Sequence, residues 1–210
     1  MKKNILLLVD LQNDFLPGGA LAVPQGNEVI PIANLLMENS NSFFSEIIAT
    51  QDWHPQNHKS FATNHFGKNI GEFVKLNEVE QMLWPNHCIQ NSNGASFAAN
   101  LNVQKIMRVF QKGQNSEVDS YSGFFDNDHK TSTGLGEYLK SISATDIYIM
   151  GLATEYCVKF TAIDSINLNF TTYLIIDGCR GINIQKNDIS NAISEMKMKN
   201  IHICNSSNIL

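Results

Sequence analysis

The chain has 210 residues, 43% of them hydrophobic and 17% charged, and a formal net charge of −5. That length suits one sizeable core, no linker rich in Pro, Gly or Ser divides it, and the composition is globular rather than disordered, so one domain over 1–210 is expected. The acidic balance argues against a nucleic-acid partner, which needs a basic face to release counterions.

The opening "MKKNILLLVDLQ" pairs two lysines with an apolar run, but Asp10 ends that run too early for a secretory signal and no small-residue cleavage site follows. No segment is long enough to cross a bilayer, so no membrane and a cytoplasmic location are expected. The four cysteines, Cys88, Cys157, Cys179 and Cys204, are scattered without a CxxC pair, which fits reduced, mostly buried thiols.

Near-continuous apolar runs predict strands at 4–9 (NILLLV), 45–50 (SEIIAT), 105–110 (KIMRVF), 146–150 (DIYIM) and 171–176 (TTYLII). Helical spacing predicts helices at 27–39 with an Asn27 cap, at 133–142, at 154–167 with a Thr154 cap, and at 185–200. The interval 53–100, rich in Asn, His, Gly and aromatics, breaks the alternation and reads as a long functional loop. Strands alternating with helices predict an α/β fold with a parallel sheet covered on both sides.

In such a sheet ligands bind beyond the carboxyl ends of the strands. Asp10, Asp52 with His54, Lys112 and the segment "GLATEYC" each follow a predicted strand, which brings ionisable groups to one rim. Asp52, His54 and His87 form a carboxylate-plus-two-imidazole set that suits a divalent ion, with Asp52 and His54 on one side of an extended segment. By spacing alone, a turn capped by Asp52 beside two surface histidines explains the same residues. Cys157 falls three residues after the Thr154 cap, where a helix N-terminus lowers a thiol pKa from about 8.5; a core cysteine packing the helix is the alternative. Asp10 and Lys112 would supply a proton acceptor and a cation beside it. Helix-start amides after Gly151 could converge on an oxyanion, and Phe15, Trp84 and Tyr121 could wall a small-ligand pocket. His58, His65, His129 and His202 read as surface or packing residues, as does Trp53, with His58 and Ser60 also kept as candidates for the metal shell.

The segments "LLLVDLQNDFLPGGALAV", "DWHPQNHKSFA", "WPNHCIQNSNGASF", "KGQNSEVDSYSGF" and "GLATEYCV", extended by "DGCRG", occur in an order and spacing that resembles the nicotinamidase group of the isochorismatase-like cysteine hydrolases. The resemblance implies a three-layer α/β/α fold with a mainly parallel six-stranded sheet. It also implies hydrolysis of nicotinamide to nicotinic acid and ammonia in NAD salvage through a Cys157 thioester, with pyrazinamide as a further substrate. By motif position it implies a triad of Asp10, Lys112 and Cys157, oxyanion amides of Ala153 and Cys157, and a cis peptide at Leu152–Ala153. Asp52, His54 and His87 would hold one divalent ion, zinc first, with iron or manganese admitted; Ser60 stands where some relatives carry another histidine. Phe15, Trp84 and Tyr121 would hold the pyridine ring. A cysteine amidase for a carbamoyl or ureido substrate would share the triad, a metal hydrolase would dispense with the thiol, and a non-catalytic metal- or nicotinamide-binding module would bind its ligand and never turn it over. Oligomeric state, including a homo-oligomer, is open.

Overall fold

The computed structural model describes residues 2–39 and 43–210. Six strands, β1 (Asn4–Val9), β2 (Glu46–Asp52), β5 (Arg108–Lys112), β6 (Asp146–Leu152), β7 (Thr171–Arg180) and β8 (His202–Cys204), form one sheet in the order β5-β2-β1-β6-β7-β8, and every ladder in it is parallel. Ile5 to Val9 of the central β1 are all fully buried. Successive strand residues point to opposite faces, so both faces of the sheet are covered, and helices α1 (Val29–Asn39), α2 (Leu135–Ser141), α3 (Lys159–Asn167) and α4 (Asp188–Met198) complete the three layers expected.

Three of the strands run further than their apolar residues suggest. β2 continues through Gln51 and Asp52, β6 through Gly151 and Leu152, and β7 through most of "DGCRG". β5 starts later than expected because residues Val103–Lys105 turn in a short 3-10 helix. The sixth strand, β8, is only three residues long and half-exposed, which hides it from an apolar-run reading. Gly151 sits where β6 meets β1: a Cβ there would stand 2.1 Å from the Val9 carbonyl oxygen, at a φ of 135°. Only glycine permits that approach.

The interval 53–100 is not structureless. It contains a two-stranded antiparallel hairpin, β3 (Phe73–Leu76) and β4 (Val79–Met82). Asn77 and Glu78 both take left-handed φ values, 47° and 67°, the backbone of a tight two-residue hairpin turn. Neither predicted helix cap is used: Asn27 lies inside a 3-10 turn, Gly26–Glu28, before α1, and Thr154 lies within a wide turn. Extended Ala153 precedes that turn, and its carbonyl accepts the N–H groups of Tyr156 (3.1 Å) and Val158 (3.2 Å).

Candidate active site

Sheet register assembles the rim. Asp52 and Lys112 are direct partners across β2 and β5, and Val9, which precedes Asp10, pairs with Gly151 across β1 and β6. The Lys112 ammonium reaches Asp52 Oδ1 at 2.7 Å, Asp10 Oδ2 at 2.9 Å, the Ser120 carbonyl at 2.8 Å and Cys157 Sγ at 3.3 Å. Three donor hydrogens shared among an anion pair, a carbonyl and a thiol fix its position closely. Asp10, in a left-handed backbone conformation (φ 52°), also accepts the Thr50 hydroxyl at 2.6 Å. Asp10, Asp52 and Cys157 are buried and offer ligand atoms within 4.8 Å of one another.

Burial sets the electrostatics of this group. It pushes the Asp10 carboxyl up, and the nearby Lys112 does not cancel that push. At Asp52 burial also pushes up, but Lys112, then His54 and His87, outweigh it and hold the carboxyl well below its usual range. Burial would neutralise Lys112, yet Asp10 and Asp52 keep its pKa well above the ordinary value. Cys157 corrects the sequence expectation of a lowered thiol pKa. Burial, with Asp10 and Asp52 adding to it, raises the thiol well above normal despite Lys112. The helix-terminus argument fails because regular helix begins only at Lys159, and Tyr156 interrupts the preceding turn (φ −114°, ψ −105°). The resting thiol therefore keeps its proton, beside a carboxylate that burial has made a better proton acceptor.

The second constellation comes from loops. His54 Nδ1 donates to the Gly113 carbonyl at 2.9 Å and His87 Nδ1 to the Pro85 carbonyl at 2.8 Å. A carbonyl only accepts, so each ring donates its Nδ1–H there and turns Nε2 toward Asp52. The two Nε2 atoms face Asp52 Oδ2 at 3.4 and 3.6 Å. One carboxylate oxygen and two imidazole nitrogens, all buried and within 4.8 Å of one another, are a donor set that fits a divalent ion.

Ser60 and His58, kept as possible members of that shell, are satisfied by each other. The Ser60 amide donates to His58 Nδ1 at 3.1 Å and its hydroxyl stands 2.7 Å away, while His58 Nε2 donates to the Val118 carbonyl at 3.3 Å. Burial pushes His58 down to about 4, so the ring is neutral. It packs beside His54, ring centres 4.4 Å apart, as support. His65 donates Nε2 to the Lys59 carbonyl, His202 stacks on Tyr173, His129 is exposed, and Trp53 packs against the core.

Between the two constellations lies a small pocket whose lining includes Phe15, Trp84 and Tyr121 together with Asp52, His87 and Cys157. All three predicted aromatics are there, as is Ala153, and the Leu152–Ala153 peptide is cis. Tyr156 and Ile182 complete the apolar wall. Sequence reasoning missed four polar residues. Gln12 clamps the Asp52 backbone from both sides, Oε1 accepting its N–H and Nε2 donating to its carbonyl, each at 2.8 Å. Thr50, at the end of the apolar run of β2, donates its hydroxyl to Asp10 Oδ1 at 2.6 Å. Asp119 lines the pocket 4.0 Å from His54 Nε2. Gln81 of β4 donates to Asp119 Oδ2 and to the Tyr121 hydroxyl, each at 3.0 Å, and Trp84 Nε1 donates to the same hydroxyl at 3.0 Å. Only Thr50 and Gln12 carried a signal, as polar residues within two positions of a rim carboxylate.

The family model for the isochorismatase domain matches residues 4–207. The nicotinamidase of Escherichia coli is 47% identical over 196 residues, covering 93% of this chain and 92% of that protein. The structure of an Acinetobacter baumanii nicotinamidase/pyrazinamidase superposes with a TM-score of 0.94 at 39% identity, covering 100% of this chain and 99% of that one. A Pyrococcus horikoshii pyrazinamidase structure in complex with zinc gives 0.79 at 35% identity, covering 97% and 99%. With a family model spanning nearly the whole sequence, this chain belongs to the isochorismatase domain family.

Proposed function

We propose that the chain is a metal-assisted cysteine amidohydrolase that converts nicotinamide to nicotinic acid and ammonia, acting also on pyrazinamide, within a single domain over 1–210. One observation carries the reading: a buried thiol 3.3 Å from the Lys112 ammonium shares a small aromatic pocket with Asp52 and His87. The relatives' activities support the choice of substrate. Asp52, His54 and His87 would hold the ion, for which zinc, iron and manganese all suit the donors. When bound, it would supply a Lewis acid for the pyridine nitrogen and so fix the ring.

Asp10 takes the proton from Cys157, and the thiolate attacks the carboxamide carbon. The amides of Ala153 and Cys157 donate to the oxyanion that forms. As the C–N bond breaks, the Asp10 carboxyl returns its proton to nitrogen and ammonia leaves a thioester on Sγ. Asp10 next removes a proton from water as it attacks that carbon; the C–S bond breaks, Sγ regains a proton and nicotinic acid departs. Lys112 holds both carboxylates and the sulfur in place throughout. Phe15, Trp84 and Tyr121 enclose the ring and exclude bulk water.

A cysteine amidase for carbamoyl or ureido substrates would use the same triad, but would leave three converging ligand atoms in its pocket without a task. Ammonia release from nicotinamide by purified protein, before and after chelation and beside Cys157→Ala, tests the choice. The expected result is turnover that falls on chelation and vanishes in the variant. Turnover surviving in Cys157→Ala would instead indicate a metal-bound hydroxide as nucleophile. Failure with nicotinamide but release from a ureido substrate would favour the second amidase.

A further inference from the structure

Glu155 has no part in the chemistry above, yet it is buried in the turn that carries Cys157. Its Oε1 accepts two successive backbone N–H groups, Ile182 at 2.9 Å and Asn183 at 2.6 Å. Asn183 has a left-handed φ of 56°, and backbone of that hand turns neighbouring amides toward one side, forming an anion-binding nest. Here the anion is a side chain of the same protein. The other oxygen, Oε2, has no hydrogen-bond partner among the described residues and stands 2.3 Å from where a Cβ on Gly181 would be. The segment after β7 is thus shaped around this carboxylate, glycine included.

The consequence falls on the pocket. Ile182, whose amide Glu155 holds, lines the same cavity as Cys157, Phe15 and Trp84. The segment Ile182 to Gln185 has no regular secondary structure and is largely exposed beyond Ile182; besides Glu155 it is held by core packing of Ile182 and by bonds of Asn183 and Gln185 to the start of α4, none of which engages the Ile182 amide. We propose that Glu155 is a positioning residue that fastens Ile182 against the substrate ring, coupling the nucleophile turn to the opposite wall and setting how well the pocket grips a single planar ring. The inference deepens the proposed function, and rests on it for the identity of the ring.

Glu155→Ala and Glu155→Gln separate the possibilities, because the glutamine amide oxygen can still accept both N–H groups. In Glu155→Ala, KM for nicotinamide should rise about ten-fold while kcat falls less than about three-fold, the pattern of lost ground-state binding. In Glu155→Gln both should stay within about two-fold of the parent. Ile182→Ala should raise KM similarly, and adding Glu155→Ala to it should change KM by less than about two-fold, since both act through one contact. Alkylation of Cys157 by iodoacetamide, which needs no ring pocket, should proceed at the parental rate. A fall in kcat at unchanged KM, additive effects in the double variant, or slowed alkylation would overturn the proposal. Amide hydrogen exchange gives a readout free of substrate: exchange at Ile182 and Asn183 should accelerate about ten-fold or more in Glu155→Ala and not in Glu155→Gln. Unchanged exchange would overturn the clamp, whereas a parent inactive on nicotinamide but showing this exchange pattern would count against the proposed substrate alone.

Discussion

The strand-end rim and the long segment from 53 to 100 contribute to the same pocket by different physics. At the rim, backbone register does the placing: Asp52 opposes Lys112 because β2 opposes β5, and both side chains are almost wholly buried in a network without slack. In the segment, side-chain hydrogen bonds do it. His87 is aimed by the Pro85 carbonyl, and the Tyr121 hydroxyl accepts from both Trp84 Nε1 and Gln81 Nε2. The rim should therefore be inseparable from the fold, while the segment should be separable from it, losing ligand affinity before stability.

Lys112→Met makes the sharpest test of the first half. It leaves Asp10 and Asp52 buried without their cation, which should cost about 3–5 kcal/mol of stability along with nearly all turnover. Thermal unfolding would show a fall of roughly ten degrees; a variant that melts with the parent would break the comparison. His87→Asn tests the second half. Metal affinity by competition with a chromogenic chelator should drop about 100-fold, while the metal-free proteins should melt within about 4 °C of each other. A collapse of the metal-free variant would make the segment part of the fold after all.

A smaller effect is expected at the hairpin. Gln81→Leu removes the N–H donor to Asp119 and Tyr121, loosening two lining residues. KM for nicotinamide should rise about three- to ten-fold, on the order of 1 kcal/mol, with Tm little changed; steady-state kinetics beside calorimetry measures both. The smallest concerns Asp126, outside the pocket, whose carboxyl is raised to about 6 by burial, with Asp128 and Asp119 adding. The folded state binds that proton more readily than the unfolded chain, so its stabilising contribution is present in acid and lost as pH rises through about 6. Asp126→Asn should raise Tm by about 2–4 °C at pH 7 and leave it unchanged near pH 4. A gain of equal size at both pH values would show that charge is not its cause.

The same contrast explains what could be read from sequence. Apolar runs mark strands that are buried on both faces, so β1, β2, β6 and β7 were legible, and with them the positions of Asp10, Asp52 and Cys157. The hairpin was not, because "FVKL" and "VEQM" mix polarities on a half-exposed ribbon and its Asn77–Glu78 turn lacks the usual glycine. His87 and the aromatics were placed together by the resemblance; spacing could not do it, since loop hydrogen bonds fold them in. The thiol departs from the helix-start expectation because the chain makes a wide, interrupted turn there, and because burial among carboxylates leaves no mark in local sequence. Gln81 and Glu155 act across 40 and 27 residues of chain, on partners no local pattern identifies.

The central claim is covalent: during turnover the nicotinoyl group is carried on Cys157. Rapid acid quenching of protein turning over nicotinamide, followed by peptide mass spectrometry, tests it most directly. A nicotinoyl adduct on the peptide containing Cys157, absent from Cys157→Ala, is the result predicted. An adduct on any other residue, or undiminished ammonia release by Cys157→Ala, would contradict it.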